Sequence, residues 1–181
     1  DKTAETIDAD GWLTTGDIAT IDADGNVSIV DRKKELIISE AGKNMSPTNI
    51  ENAMKASSSF ISQAVAIGEA RPYVTALIAL DPDAAAVRAK ALGIPDADPA
   101  TLAKRDEIRK EITEAVRAGN KKLSQVEQIK RFVITGHYWE PGGEELTPTM
   151  KLRRKPIADR YATEIVDLYA DKPGAAVVDL R

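Results

Sequence analysis

The chain has 181 residues, of which 43% are hydrophobic and 30% are charged, a composition typical of globular domains rather than of disordered or fibrous chains. It has no cysteine and one histidine, which excludes disulfides, thiolate metal sites and a cysteine nucleophile and gives little support to a histidine-centred triad. The net charge of −4 gives no reason to expect nucleic acid as a partner, and we expect no metal site in this chain.

Two features of the sequence bear on where the protein works. The longest apolar run, residues 73–80, is far shorter than the roughly 18 residues that cross a bilayer, and no charged-then-apolar leader opens the chain. We therefore expect a soluble, cytoplasmic protein. The chain opens on Asp1 among polar residues, with no initiator methionine, and we interpret it as a fragment of a longer protein.

The first predicted element is a β-hairpin at residues 20–30. Short runs with alternating apolar residues flank Asp24-Gly25, which is the strongest local hairpin signal that a sequence offers. A polar break at residues 31–34 follows, and after it come a short apolar run and a loop that contains Gly42. We interpret the polar break as a hinge between two units.

The middle of the chain is predicted to contain helices and two strands. Ser46-Pro47 combines an N-cap residue with proline in the first helical turn, and predicts a helix that ends near Lys55. Residues 61–67 and 73–80 are apolar and rich in β-branched side chains, so they predict two strands joined by a turn.

Two more pairs of a cap residue and proline, Asp81-Pro82 and Asp98-Pro99, predict two further helix starts. After the second pair, a single apolar stripe predicts one long charged helix that Gly119-Asn120 closes. The stripe consists of Ile108, Ile112, Ala115 and Val116.

The last third of the chain mixes both kinds of element. Apolar residues at 123, 126 and 129 predict a helical turn before a strand at 132–134, which we place at a sheet edge. Residues 138–149 lack periodicity and predict a surface loop, whereas an apolar stripe after Pro156 predicts one final amphipathic helix. Because helices and antiparallel strands are mixed without strict alternation, the predicted class is α+β.

Three polar clusters lie in loops or at element ends: residues 14–17, 31–34 and 147–155. On their composition alone, the first is an ordinary turn, the second a solvated linker and the third a basic patch that could hold an acidic partner. No aromatic residue interleaves the basic residues of the third cluster, which argues against nucleic-acid binding.

Taken in order, residues 11–17, 31–38, 126–132 and 146–155 resemble the late motifs of the adenylate-forming superfamily, which includes acyl-CoA synthetases, luciferases and peptide-synthetase adenylation domains. They look most like the long-chain fatty acyl-CoA synthetase branch, and the resemblance covers nearly the whole chain. It implies that residues 1–34 are the tail of a large N-terminal domain, with a β-hairpin and a hinge. Residues 35–181 would then be a mobile C-terminal cap with a mainly antiparallel sheet flanked by helices.

The resemblance also implies a reaction. Such enzymes join a carboxylate to ATP to form an acyl-adenylate and pyrophosphate, and the thiol of CoA then displaces AMP. The implied partners are a fatty acid, ATP, CoA and the chain's own N-terminal domain, which would also bind Mg2+. The fragment alone should be inactive, and peripheral membrane association of the full protein is compatible with this interpretation.

Three residues of the chain match functional positions of that superfamily. Asp17 matches its ribose-binding acid, and a carboxylate suits this role because its oxygens accept hydrogen bonds from both ribose hydroxyls. Arg32 matches a nucleotide-contacting arginine, whose guanidinium holds oxygens in a fixed fork. Lys151 matches the catalytic lysine, whose ammonium would bridge the substrate carboxylate and the α-phosphate as negative charge develops.

The hinge and the CoA channel are implied in the same way. Lys34 aligns with the residue about which the cap rotates between the half-reactions, although family members often have aspartate there. Gly42 and Lys43 belong to the loop that would line the CoA channel after the rotation, where a missing Cβ lets the pantetheine chain pass close to the backbone.

Two alternatives to a CoA ligase stay open on the sequence. One retains adenylation but passes the acyl group to a carrier-protein thiol, and it would use the same Asp17, Arg32 and Lys151. The other is a non-catalytic module that binds an acidic partner through the basic residues at 151–155, and it predicts salt-sensitive binding.

Overall fold

The structure is a computed structural model that describes residue 3, residues 6–95 and residues 97–181. The predicted segment 1–34 is therefore described at residue 3 and from residue 6 onward, and its other residues lie outside the described part. The chain divides into two compact units, the first ending at Leu36 and the second running from Ile37 to Arg181. The predicted α+β class is confirmed.

The first unit contains the predicted β-hairpin. Strand β1, Asp17–Ile21, pairs antiparallel with β2, Val27–Arg32, with Ile21 opposite Val27. The carboxylate of Asp22 accepts hydrogen bonds from the backbone N–H groups of Asp24 and Asn26, each at 2.9 Å. The connection is thus a longer loop organised by an aspartate side chain rather than a two-residue Asp-Gly turn.

A four-stranded sheet forms the centre of the second unit. Its strands are β5 (Ile61–Ile67), β6 (Val74–Leu80), β7 (Ile129–Ile134) and β8 (Val177–Asp179), which lie side by side in that order. Strands β6 and β7 are parallel, and the other two pairs are antiparallel. A separate short hairpin, β3 (Ile37–Ile38) with β4 (Asn44–Met45), precedes the sheet in the chain.

The two strands predicted at 61–67 and 73–80 are confirmed, but the prediction of a sheet edge at 132–134 is wrong. Strand β7 lies inside the sheet because β8 pairs along its free side. With only three residues, β8 is too short to show a period in the sequence.

Six helices are described: α1 (Pro47–Lys55), α2 (Pro82–Ala91), α3 (Pro99–Leu102), α4 (Asp106–Asn120), α5 (Arg154–Arg160) and α6 (Ala162–Leu168). The first three begin where the sequence predicts, because the side chains of Ser46, Asp81 and Asp98 each accept a backbone N–H three residues later. No helix in the described part of the chain has both the length and the apolar character that crossing a membrane requires.

Two helix predictions in this part of the chain are wrong. The single helix predicted after Asp98-Pro99 is divided, because Arg105 adopts extended backbone (φ −77°, ψ 130°) between α3 and α4. The helical turn predicted at 123–129 does not form. The side chain of Asn120 bonds both the N–H and the carbonyl of Ile129 at 2.9 Å, which fixes the start of β7 there.

The C-terminal helix and the loop before it also differ from the predictions. The helix predicted after Pro156 is divided at Tyr161, whose φ of −102° and ψ of 24° are not helical. Residues 138–149 form a loop that is not confined to the surface, since Trp139 and Leu146 are buried. The indole N–H of Trp139 donates to the Tyr161 hydroxyl at 3.0 Å, so the loop and the helix break form one packed feature.

The core has two layers, one on each face of the sheet. One face packs against α1 to α4 through Ile50, Met54, Ile108 and Ile112, and the other packs against α5, α6 and the loop before them. Burial on both faces explains why every residue of β6 is buried.

A buried arginine joins the C-terminal segment to the sheet. Arg131 is 2% exposed, and its Nε donates to Asp179 of β8 at 2.8 Å, while Nη1 donates to the carbonyls of Leu168 and Ala170. Hydrogen bonds from Arg181 and from Arg131 hold the pKa of the Asp179 carboxyl well below its ordinary value.

Replacing Gly119 by valine should destabilise the second unit. A Cβ at this position of α4 would lie 2.5 Å from Cε of Met54 and 3.1 Å from the carbonyl oxygen of Ala53, both in α1. We expect Gly119→Val to lower the free energy of unfolding by about 1–3 kcal/mol, measured by urea denaturation followed by circular dichroism. The exposed neighbour Ala118 provides the control, since Ala118→Val should cost about 0.5 kcal/mol of helix propensity. Equal losses for both variants would contradict close packing of the two helices.

Candidate functional site

Asp17 and Arg32, the predicted nucleotide-binding pair, lie next to each other in the first unit. They face each other in the register of β1 and β2, and Nε of Arg32 lies 3.0 Å from Oδ1 of Asp17. Their side chains are 26% and 61% exposed. An ion pair so accessible to water contributes little to stability, so both groups can exchange this contact for a ligand at small cost.

The backbone around Gly16 holds this pair in place. Gly16 has a φ of +74°, and its carbonyl accepts the N–H of Lys33 at 2.8 Å. The N–H of Asp17 donates to Oγ1 of Thr15 at 3.1 Å. Because only glycine adopts a positive φ without cost, this segment has a fixed geometry that an ordinary solvated turn does not need.

Asp31 is a feature of this site that the sequence analysis does not single out. It is 6% exposed in a strand whose other residues are exposed, and its Oδ1 accepts the backbone N–H of Arg32 at 2.7 Å. The buried carboxylate thus fixes the backbone next to the guanidinium. It lies between the exposed Val30 and the exposed Arg32, so no local pattern in the sequence indicates its burial.

Lys34 lies in a short 3-10 turn, Lys33–Glu35, directly after β2. Its side chain is exposed, and the first unit ends two residues later at Leu36.

Gly42 and Lys43 lie in the loop of the β3–β4 hairpin. Gly42 has a φ of +72° and donates its N–H to the carbonyl of Ser39 at 2.8 Å, while the N–H of Lys43 donates to Oγ of Ser39 at 3.1 Å. The hairpin is joined to the β5–β6 turn by two backbone hydrogen bonds, from Ala70 to Ile38 at 2.8 Å and from Glu40 to Arg71 at 3.1 Å. The loop therefore projects from a firmly attached base.

Lys151 lies on a second small hairpin, residues 146–152, which we call the lysine hairpin. Its two arms are joined by a bridge between Leu146 and Leu152 and by a hydrogen bond from the N–H of Thr147 to the carbonyl of Lys151 at 2.9 Å. The N–H of Lys151 returns a bond to Oγ1 of Thr147 at 3.0 Å. Met150 has a φ of +63°, as in three-residue hairpin loops that end in a left-handed residue, and the Lys151 side chain is exposed.

The basic cluster that ends this hairpin is not a uniform solvated patch. Arg154 forms a two-pronged ion pair with Glu51 of α1, with N–O distances of 2.7 and 3.1 Å, and Glu51 is 5% exposed. Lys151, Arg153 and Lys155 are exposed. Because one of the cluster's charges is part of the fold, the interpretation of the cluster as a diffuse binding surface loses support.

The predicted residues thus form three local sites. Asp17 and Arg32 lie together in the first unit with Lys34 shortly after them, whereas Gly42-Lys43 and Lys151 occupy separate hairpins of the second unit. Among the described residues, no three histidine, aspartate or glutamate side chains gather closely enough to hold a metal ion.

Comparison with protein families finds a match over most of the chain. A family model described as the AMP-binding enzyme C-terminal domain matches residues 34–173. The chain belongs to this family. The match starts at Lys34 and includes Gly42, Lys43 and Lys151, whereas Asp17 and Arg32 precede it.

The relatives of this C-terminal domain are much longer proteins. The protein fadD11 of Mycobacterium tuberculosis is 54% identical over 171 residues, which are 94% of this chain and 30% of fadD11. FadD15 of the same species, named a long-chain-fatty-acid–CoA ligase, is 38% identical over 164 residues, 88% of this chain and 27% of FadD15. The chain therefore spans less than a third of the length of these relatives.

The fold is shared with a solved structure. The adenylation domain of carboxylic acid reductase from Segniliparus rugosus, in complex with AMP and a co-purified carboxylic acid, has a TM-score of 0.74 and 22% identity. The match covers 93% of this chain and 25% of that domain. At this identity the likeness is one of fold.

Replacing Gly42 should test why glycine stands in the β3–β4 loop of the C-terminal domain. A Cβ there would meet no atom within 4 Å, so its cost comes only from the φ of +72°. We expect Gly42→Ala to lower the free energy of unfolding by about 1 kcal/mol and Gly42→Asn by less, because asparagine tolerates this conformation. Urea denaturation measures both, with Ala41→Ser as a neutral control. A loss as large for asparagine as for alanine would contradict a purely conformational cost.

Proposed function

We propose that the chain is the C-terminal part of an ATP-dependent long-chain fatty acid–CoA ligase and that it works only within the longer polypeptide. The observation that carries this proposal is the 38% identity over 164 residues with FadD15, a protein named for that activity. The family match over residues 34–173 supports it. We place the enzyme in the cytoplasm, with peripheral contact to membranes that supply its fatty acid.

We propose further that residues 1–34 end the N-terminal domain and that residues 35–181 form the mobile cap. The first unit supports this division because it leaves large apolar side chains in water. Trp12 is 76% exposed, Ile21 is 72% exposed and Ile29 is 70% exposed. A two-stranded hairpin is marginally stable by itself, so these side chains suit a hairpin that packs against the rest of a larger domain.

In the proposed first half-reaction, a carboxylate oxygen of the fatty acid attacks the α-phosphorus of ATP. The new P–O bond gives acyl-AMP, and pyrophosphate leaves. Asp17 would accept hydrogen bonds from the ribose hydroxyls. Arg32, whose Nε lies 3.0 Å from Oδ1 of Asp17, would contact ribose or phosphate oxygens. The AMP bound by the Segniliparus domain supports a nucleotide as the ligand of this fold.

Lys151 would supply the charge that this step requires. Its ammonium would bridge the fatty-acid carboxylate and the α-phosphate, where negative charge accumulates in the transition state. Its side chain is exposed on a short hairpin, which this role requires. Mg2+ bound by the N-terminal domain would neutralise phosphate charge.

In the proposed second half-reaction, the sulfur of CoA attacks the acyl carbon of acyl-AMP. The acyl C–O bond breaks, AMP leaves with the electron pair, and the thiol proton is released. The cap would rotate about Lys34 between the two steps, so that Lys151 leaves the nucleotide and the loop with Gly42 and Lys43 lines the CoA channel.

Replacing Lys151 should impair the first half-reaction and spare the second. In the complete ligase, we expect Lys151→Ala to lower pyrophosphate release from fatty acid and ATP by about 10²- to 10³-fold, because it removes preorganised charge from the transition state. Formation of CoA thioester from supplied acyl-adenylate should persist. If the adenylate is consumed only when a carrier-protein thiol is added, the acceptor is a carrier protein and not CoA.

The control for this experiment is Lys155→Ala, which removes an exposed lysine from the same basic cluster. We expect it to leave both half-reactions intact. Unchanged pyrophosphate release in Lys151→Ala, or equal losses in both variants, would contradict the proposed role of Lys151 and favour a diffuse basic surface.

A hinge variant should impair the second half-reaction more than the first, which is the opposite of the effect expected for Lys151→Ala. Proline at position 34 fixes φ and removes the N–H, so the backbone can no longer rotate about the N–Cα bond of this residue. We expect Lys34→Pro to reduce thioester formation from acyl-adenylate more than pyrophosphate release, whereas Lys34→Ala should retain both. Equal losses in the two half-reactions of Lys34→Pro would reject the hinge.

A further inference from the structure

Three residues after Lys151, the side chain of Arg154 is held by a buried acid. Nη1 donates to Oε1 of Glu51 at 2.7 Å and Nη2 donates to Oε2 at 3.1 Å, a two-pronged geometry that fixes the guanidinium in orientation as well as in distance. The residue Glu51 is 5% exposed, and its Oε1 also accepts the backbone N–H of Ala66 at 3.0 Å. One carboxylate thus joins α1, strand β5 and the start of α5.

We propose that the Glu51–Arg154 ion pair positions Lys151 for adenylation. The inference rests on the proposed role of Lys151 as the adenylation lysine. Glu51 and Arg154 are positioning residues in this scheme, since they act by fixing the lysine hairpin rather than by touching the substrate.

The orientation of the lysine hairpin depends on attachments beyond its internal hydrogen bonds, because those bonds do not join it to the sheet. The bonds between Thr147 and Lys151 orient the lysine relative to the hairpin alone. Attachment comes from the ends of its arms, where Leu146 is buried in the core and Leu152 packs against it, and where ion pairs add orientation. At the entrance, the buried carboxylate of Glu145 pairs with Arg160 at 2.6 Å. The carbonyl of Glu145 also accepts the N–H of Arg153 at 2.8 Å.

At the exit of the hairpin, Arg154 provides the matching attachment to Glu51. The pair reaches across to α1, which directly follows the β3–β4 hairpin in the chain. The lysine hairpin and the loop proposed to line the CoA channel therefore have a common base within the second unit. A displacement of about 1 Å in a catalytic group costs about 10²-fold in rate, which is the scale of effect expected when this attachment is lost.

The experiment has to distinguish a variant in which Lys151 is misplaced from a variant that does not fold. Removing Arg154 alone leaves Glu51 charged and buried, which is strongly destabilising, whereas removing both charges with similar volumes is often neutral. The decisive variant is therefore the double substitution Glu51→Gln with Arg154→Met. Glutamine retains an oxygen that can accept the N–H of Ala66.

The experiment uses the complete ligase and compares its two half-reactions. For the folded double variant, we expect kcat of pyrophosphate release to fall at least about tenfold and KM for ATP to change less than about threefold. Thioester formation from supplied acyl-adenylate, which does not need Lys151, should stay within about twofold of the parent. The single variant Arg154→Lys retains the charge without the fork and should give an intermediate loss of kcat.

The control is another ion pair, Arg131 with Asp179, in which the arginine is the buried partner. It attaches the C-terminal strand and not the lysine hairpin. Asp179→Asn should lower the melting temperature without changing the ratio of the two half-reactions. A double variant with adenylation within twofold of the parent, or with both half-reactions reduced in proportion, would overturn the positioning role.

Lys151→Ala, measured in parallel, distinguishes this inference from the proposed function. If Lys151→Ala loses adenylation while the double variant retains it, the positioning role alone is wrong. If Lys151→Ala retains adenylation, the assignment of the lysine is wrong and the positioning role is overturned with it.

Discussion

The second unit is organised around the parallel pairing of β6 with β7, two strands that are buried on both faces of the sheet. Parallel neighbours need a crossover connection, and α2, α3 and α4 provide it on one face. The chain that leaves β7 is then available to cover the other face, where Trp139, Leu146 and Ile157 pack. The position of Lys151, between Leu146 and Ile157 in the chain, follows from this constraint.

Buried acidic side chains connect the proposed functional hairpins to their surroundings. Asp31 fixes the backbone beside Arg32, Glu145 attaches the entrance of the lysine hairpin and Glu51 attaches its exit. In each case the groups proposed to meet a ligand are exposed, and the carboxylate behind them is at most 6% exposed. Exposed side chains thus project from segments that are held by charge-assisted hydrogen bonds.

Much of the fold could be predicted from local patterns, and the errors have physical reasons. The caps at Ser46, Asp81 and Asp98 were predictable because a cap involves neighbours in the chain. The break at Tyr161 and the start of β7 depend on Trp139 and on the side chain of Asn120, which are tertiary contacts. Within the site, motif order indicated Asp17, Arg32 and Lys151, but no local pattern could show that Arg154 meets a glutamate from α1.

The placement of the two tryptophans gives the chain an optical property of its own. Trp12 lies in the first unit with 76% of its surface exposed, whereas Trp139 is 5% exposed in the second unit, with its ring centroid 5.9 Å from that of Tyr161. Indole emission shifts to longer wavelength as water reaches the ring. Each unit therefore has its own tryptophan, with an emission maximum at longer wavelength in the first unit than in the second, and one emission spectrum reports on both.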